Sequence, residues 1–322
     1  MNESASSTGS NATATSEGLS VKEGTVFLII AVLGWGVVWP INKVVLESMS
    51  PYWFSAIRSA IGAMALIAIA IPGGRLVMPT RWDAPVLLSI TLLHMVGFAL
   101  FASIGLQWVP VGRSIVLAYT TPLWVMPAAA LFLGERLTLR RVVGVASGLL
   151  GLAVLFNPLG FDWGDPSAVL GHAILLLAAL CWAASIVHIR GHAWRATPFE
   201  LVPWEALLAT AILFLIAPLA QPWVAIDWNL KLILLLFASS IFGVAIPYWA
   251  IAMAGRRLSA VTVSQGLLGA PIIGVAVATI ALGEIPDISV WLALGLVIGG
   301  VAVGTSGGWA RRADVSRAGE LR

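Results

Sequence analysis

Ten runs of about twenty apolar residues each constrain this chain more than any other feature. They lie at about 24–46, 51–72, 84–107, 111–133, 139–157, 167–190, 198–219, 229–254, 259–282 and 287–306. A helix of that length matches the hydrocarbon thickness of a bilayer. Proline, glycine and charge separate the runs, at Ser50-Pro51, Pro72-Gly73-Gly74, Val109-Pro110, Gly134-Glu135-Arg136, Asn157-Pro158 and Gln221-Pro222. Of 322 residues, 59% are hydrophobic and only 10% are charged. A water-soluble protein has about 25% charged residues and has nowhere to hide so much apolar surface. The expected fold is therefore all-α and polytopic, with ten transmembrane helices and lipid as its solvent. No connecting loop is long enough to hold a soluble catalytic or nucleotide-binding domain.

Charge then orients the spans. With the N-terminus inside, the inner side carries Lys22, Arg75, Arg81, Arg136, Arg140, Arg141, Arg190, Arg195, Arg256, Arg257, Arg311, Arg312, Arg317 and Arg322. Lys43, Arg58, Arg113 and Lys231 fall outside or within spans, and Asp162, Asp165, Asp227 and Asp287 fall outside. This asymmetry predicts cytoplasmic termini and a plasma (inner) membrane location. The basic residues are scattered singly and form no patch for nucleic acid. The single cysteine, Cys181, excludes an internal disulfide and a thiolate cluster. Residues 1–23 lack an apolar segment, so they read as a disordered cytoplasmic tail rather than a signal peptide. Residues 307–322 read as a second cytoplasmic tail. Trp53, Trp82, Trp108, Trp163, Trp223, Trp228 and Trp291 sit near span ends, where an indole belongs. Trp35, Trp124 and Trp182 fall deeper and need another reason.

The chain also repeats itself at an offset of about 149 residues. Thr121-Pro122 corresponds to Ala270-Pro271, Gly134-Glu135 to Gly283-Glu284, and Gly151-Leu152-Ala153-Val154 to Gly300-Val301-Ala302-Val303. The two units, 24–157 and 167–306, hold five spans each. An odd number of spans makes the second unit enter the membrane from the opposite side. Inverted repeats of this kind are characteristic of secondary transporters, with the binding site near the midplane where the halves meet.

The stretches Gly105–Pro122, Leu133–Leu137 and Gly144–Gly151 have counterparts at Tyr248–Ala260, Gly269–Pro271 and Leu282–Glu284. Together with Gly34-Trp35-Gly36, Pro40, Asn42-Lys43, Pro51 and Arg58, they resemble the drug/metabolite transporter superfamily in its ten-helix EamA branch. The resemblance covers about residues 24–306. It implies a central cavity lined by spans 1, 3, 4, 6, 8 and 9, with spans 5 and 10 at the back. It also implies export of amino acids or related metabolites. The second copy lacks the Arg of the first Gly-Glu-Arg, and both Gly-Glu pairs read as helix-end structure.

Several residues are candidates for contact with substrate. In span 1, Pro40 removes a backbone bond and kinks the helix, which makes Trp35, Trp39 and Asn42 cavity candidates. Close helix packing by the neighbouring glycines is the alternative. Lys43 and Glu47 have the spacing of a rim salt bridge. Arg58, two turns into span 2, is either a structural anchor or an attractor of a substrate carboxylate. His94 is the titratable side chain nearest a span centre, with Phe98 and Phe101 at i+4 and i+7. Tyr119, Thr120 and Pro122 break span 4, and Gln265, Gly266 and Pro271 break span 9 at the matching place. Paired broken spans point to a transport site. Trp182, Ser185, Tyr248 and Trp249 complete the set. His188, His192 and Glu205 are placed near inner ends, meeting water or each other.

The predicted function is a secondary transporter, exporting amino acids or related amphipathic compounds by alternating access, with drugs, nucleosides or vitamins as alternative cargo. A membrane-embedded enzyme would need paired titratable groups at one depth, and His94 has no such mate. A channel fits poorly with an inverted repeat and occluding tryptophans. No span shows a central acid, so energy coupling is either absent or rests on His94. No cofactor or metal is expected. The expected partners are a small-molecule substrate, the lipid bilayer and, through spans 5 and 10, a second copy in a homodimer if the chain is not a monomer.

Overall fold

The computed structural model describes residues 7–71, 76–135, 138–156, 163–192, 197–223, 225–258 and 260–306. Arg75, Arg136, Arg195, Asp162, the turn residues Pro72-Gly73-Gly74 and Asn157-Pro158, and the tail 307–322 with its four arginines lie outside them. Among the described residues every regular element is helical.

Ten helices follow the ten apolar runs. They are α1 (Ser7–Leu46), α2 (Pro51–Ala70), α3 (Ala84–Trp108), α4 (Val111–Leu133), α5 (Leu139–Phe156), α6 (Pro166–Gly191), α7 (Pro198–Ala220), α8 (Leu230–Gly255), α9 (Ala260–Gly266 continued by Gly269–Leu282) and α10 (Ile288–Ser306). Helix α1 starts at Ser7, ahead of the apolar run that begins at about residue 24.

The punctuation read from the sequence works as helix caps. The Ser50 hydroxyl accepts the Trp53 N–H, and Pro51 occupies the first turn of α2. Asp165 accepts from Ser167 N at 2.9 Å before Pro166, and Asn229 accepts from Leu232 N at 2.9 Å. Gly134 and Gly283 close α4 and α9 with φ of 66° and 68°, a left-handed geometry that glycine adopts without strain. The glutamates that follow them have distinct partners. Glu135 pairs with Arg141 and Arg190, at 2.9 and 3.1 Å. Glu284 accepts the N–H groups of Val111 and Gly112, at 2.9 and 3.2 Å. A carboxylate thereby caps the positive end of α4 from the opposite half of the chain.

The packing pattern carries the inverted repeat. Helix α1 lies against α8 and α9, and its equivalent α6 lies against α3 and α4. Exchanging the halves maps each of these contacts onto the other. The pairs α2–α7 and α5–α10 map onto themselves and are also packed. Association inside a membrane depends on close van der Waals fit rather than on water exclusion, and small residues provide it. A Cβ on Gly34 would strike the Phe242 carbonyl and Pro247, and one on Gly36 would strike Ile273. Behind the bundle, Gly144 sits against the backbone of Gly300 and Gly304. Ion pairs join residues expected on the same side of the membrane: Arg113 with Asp287 at 3.1 Å, and Arg257 with Glu23 at 3.0 Å.

Candidate transport cavity

Four irregular helices shape the interior. Helix α4 breaks at Tyr119-Thr120, where its second segment starts with Pro122, and α9 breaks between Gly266 and Gly269. The carbonyls freed in α4 do not stay empty. Thr120 Oγ1 donates to Leu117 O at 2.6 Å, and Thr121 Oγ1 donates to Ala118 O at 2.8 Å. The other two irregularities are π-helical stretches, Ile90–Phe98 in α3 and Ile241–Ala245 in α8. They occupy equivalent places in the two repeats. Such turns concentrate at functional sites, and nothing in the local sequence announces them.

Within the bundle lies a cavity of about 110 Å³, counted as space for the centres of water molecules, and three of these four helices, α3, α4 and α8, line it. That is room for on the order of ten waters, or for a small solute. Helix α1 contributes Trp35, Val38, Trp39 and Asn42. Helix α2 contributes Ser55, Arg58 and Ser59, and α3 contributes His94, Met95, Phe98, Ala99, Ala102, Ser103 and Leu106. Tyr119, Trp182, Ala206, Gly243, Val244 and Tyr248 close it from α4, α6, α7 and α8.

One wall is aromatic. The His94 ring stacks on Trp182, with centroids 5.1 Å apart and planes 1° from parallel. Phe98 tilts against the same indole at 4.9 Å, and Tyr119 meets it edge-on at 6.3 Å. The Tyr248 hydroxyl is 3.3 Å from His94 Nδ1, and its ring meets Trp35 edge-on at 5.9 Å. Other lining groups are polar. Arg58 Nε donates to Ser239 Oγ at 2.9 Å, and Ser239 Oγ donates to Asn42 Oδ1 at 2.6 Å. The rest of the guanidinium rests beside Gly243, where a Cβ would collide with it. Among the described residues no carboxylate lies within ion-pair distance of Arg58. It is the one Lys or Arg among the lining residues.

The structure brings together eight of the candidates read from sequence: Trp35, Trp39, Asn42, His94, Phe98, Tyr119, Trp182 and Tyr248. It places five elsewhere. Phe101 packs into the main apolar core, because the π stretch adds about one residue per turn and rotates i+7 off the His94 face. Thr120 is fully buried in its helix break, where it also accepts the Trp124 indole N–H at 3.2 Å, which gives that deep tryptophan its reason. Ser185 is buried one turn beyond Trp182. Trp249 turns outward from Tyr248 onto Phe27, at 5.1 Å. Gln265 sits on α9, which contributes no residue to the cavity lining. The lining therefore differs from the six helices the resemblance implied: α9 is absent, and α2 and α7 are present.

Two further expectations are corrected. Lys43 does not bridge to Glu47. Its ammonium binds the carbonyls of Leu106, Gln107 and Val109, at 2.6 to 3.4 Å, and caps the negative end of α3. Glu205 does not meet water at an inner end. It is 1% exposed within the bundle, and its Oε1 has no hydrogen-bond partner. His188 and His192 do meet each other, with ring centroids 6.2 Å apart.

Comparison with known proteins gives a consistent result. The profile of the EamA-like transporter family matches residues 22–157 and 169–305. An uncharacterized transporter, YvbV, of Bacillus subtilis is 28% identical over 69% of this chain and 72% of its own length. A "Probable amino-acid metabolite efflux pump" of Escherichia coli is 28% identical over 83% of this chain and 89% of its own. A solved crystal structure shares the fold, with a TM-score of 0.61 at 24% identity over 88% of this chain and 97% of its own.

Proposed function

This chain belongs to the EamA-like transporter family, a family of membrane transporters and not of enzymes, and from that premise we propose that it exports amino acids or related carboxylate-bearing metabolites by alternating access around the central cavity. The observation that carries the reading is Arg58. A fixed cation facing a small cavity, with no carboxylate among the described residues within ion-pair distance, is costly unless a ligand supplies the negative charge. A carboxylate does so with hydrogen-bonding geometry. In the same cavity, the faces of Trp35, Trp182 and Tyr248 suit an ammonium group, and Phe98 and Leu106 suit an apolar side chain. Similarity to the E. coli protein supports the same substrate class. In this reading both termini are cytoplasmic, as the loop charges suggest, the membrane is the plasma membrane, and transport runs outward.

The test is efflux of a labelled amino-acid panel from proteoliposomes, alongside the decarboxylated amine of each member. Saturable efflux of amino acids, with the amines excluded, supports the reading. An Arg58→Gln variant should weaken apparent affinity by about 10- to 100-fold, the equivalent of losing one charge-assisted hydrogen-bonded contact. Equal transport of amines and acids by the wild type would remove the carboxylate from the account.

A further inference from the structure

We propose that Glu205 is the proton-carrying site of this transporter, and that a proton bound and released there couples substrate movement to the pH gradient. The inference rests on the transport reading above. Glu205 lies in the first third of α7, 1% exposed, and its Oε1 lacks any partner. Among the described residues no cation lies within ion-pair distance of its carboxyl. A carboxyl kept for architecture would have its oxygens bonded, as Glu284, Glu135 and Glu200 do in this chain. An orphaned buried carboxyl is instead expensive for folding, and inside a membrane it marks a functional position.

Its place relative to the cavity gives it a function. Ala206, the next residue, lines the cavity. Helix α7 packs against α2, α3 and α8. The ionisable groups that these helices turn toward the cavity are Arg58 from α2, His94 from α3 and Tyr248 from α8. Tyr248 is the hub. Its hydroxyl is within hydrogen-bond distance of His94, and it lies within electrostatic reach of both Glu205 and Arg58. On α7 itself, Glu200 sits at the helix start with its carboxylate on Thr197 N at 2.8 Å.

The step is simple. A hydronium ion that reaches Glu205 from the cavity beside Ala206 gives up a proton: one hydronium O–H bond breaks, one carboxyl O–H bond forms, and a water molecule is left. On the other side the carboxyl O–H bond breaks and a water molecule takes the proton, re-forming hydronium. The proton state of Glu205 sets the charge that faces Tyr248 and, through it, the cavity. A substrate whose own charges sit on Arg58 and the aromatic wall then alters the proton's hold on Glu205, and the proton alters the substrate's hold on the cavity. This linkage is reciprocal by necessity.

The experiment uses the full chain in proteoliposomes with the membrane potential clamped at zero. Counterflow exchange of labelled phenylalanine, leucine, threonine and glutamate reports transport without a driving force. Net flux under a gradient of about one pH unit, a tenfold proton ratio in each coupled step, reports coupling. Wild type should show counterflow and a several-fold change in net flux when the gradient is imposed. The direction of that change tells whether the proton moves with the substrate or against it. Glu205→Gln should retain counterflow and lose the gradient response, and Glu205→Asp should recover part of it. Counterflow without any gradient response in wild type overturns the proposal and leaves the transport reading intact. So does a Glu205→Gln variant that responds as wild type does. If Glu205→Gln shows no counterflow, proton uptake or release on adding the same amino acids to weakly buffered, detergent-solubilised protein decides. A signal present in wild type and absent in the variant supports the proposal, and an equal signal in both overturns it. Absence of counterflow in wild type removes the transport reading itself.

Discussion

At the scale of single residues, the cavity depends on what stands next to Arg58. Its guanidinium is held on one side by the Ser239–Asn42 pair and on the other by the space that Gly243 leaves. Gly243→Ala inserts a methyl group where the guanidinium and Val38 now meet. We predict that the flexible guanidinium gives way and efflux falls by roughly tenfold, the equivalent of one displaced hydrogen-bonded contact, while the contact with the stiffer Val38 side chain lowers stability. Reduced initial rates together with a lower melting temperature, measured on the same preparation, check the prediction. Some of these residues were readable from the sequence and some were not. Trp35, His94 and Trp182 stood out because bulky or ionisable groups in mid-span are rare. The depth of Glu205 was not readable. Glu200 and Glu205 lie near the same end of one apolar run, and only the packing of α2, α3 and α8 decides which of them meets water. Lys43 was misread for a related reason, since its partners are carbonyls of another helix.

At the scale of elements, irregular helices carry the site. The breaks in α4 and α9 follow from Pro122, Pro271 and the glycines around them, and a sequence shows those directly. The π stretches in α3 and α8 do not follow from any proline or glycine pattern. In α3 the stretch leaves His94 and Phe98 together on the cavity while Phe101 packs against the apolar core. The helix ends are joined across the halves. Glu284 on the second half binds two N–H groups at the start of α4 on the first. Glu284→Ala should cost about 1 kcal/mol, the usual worth of an N-terminal cap, and should leave substrate affinity unchanged. A lower melting temperature with the same half-saturation concentration checks this. A change in affinity without a change in stability would mean that the clamp takes part in transport.

At the scale of the molecule, two inverted five-helix units form one bundle, and their exchange reproduces the contact pattern α1–α8 with α6–α3 and α1–α9 with α6–α4. The repeat was legible because three separate motifs share one offset. The lining of the cavity was less legible, because α9 contributes no residue to it while α2 and α7 do. In the proposed reading, the walls built by the two halves open in turn around a substrate held by Arg58 and the His94–Trp182 stack. The most direct measurement is whether substrate occupies this cavity during transport. Cys181 is the only cysteine, so a Cys181→Ala background carries no thiol, and Ala99→Cys places one thiol in the cavity wall. The account predicts that a small methanethiosulfonate reagent blocks efflux in this variant, and that saturating transported amino acid slows the labelling. Complete labelling with undiminished efflux and no protection by substrate would contradict it.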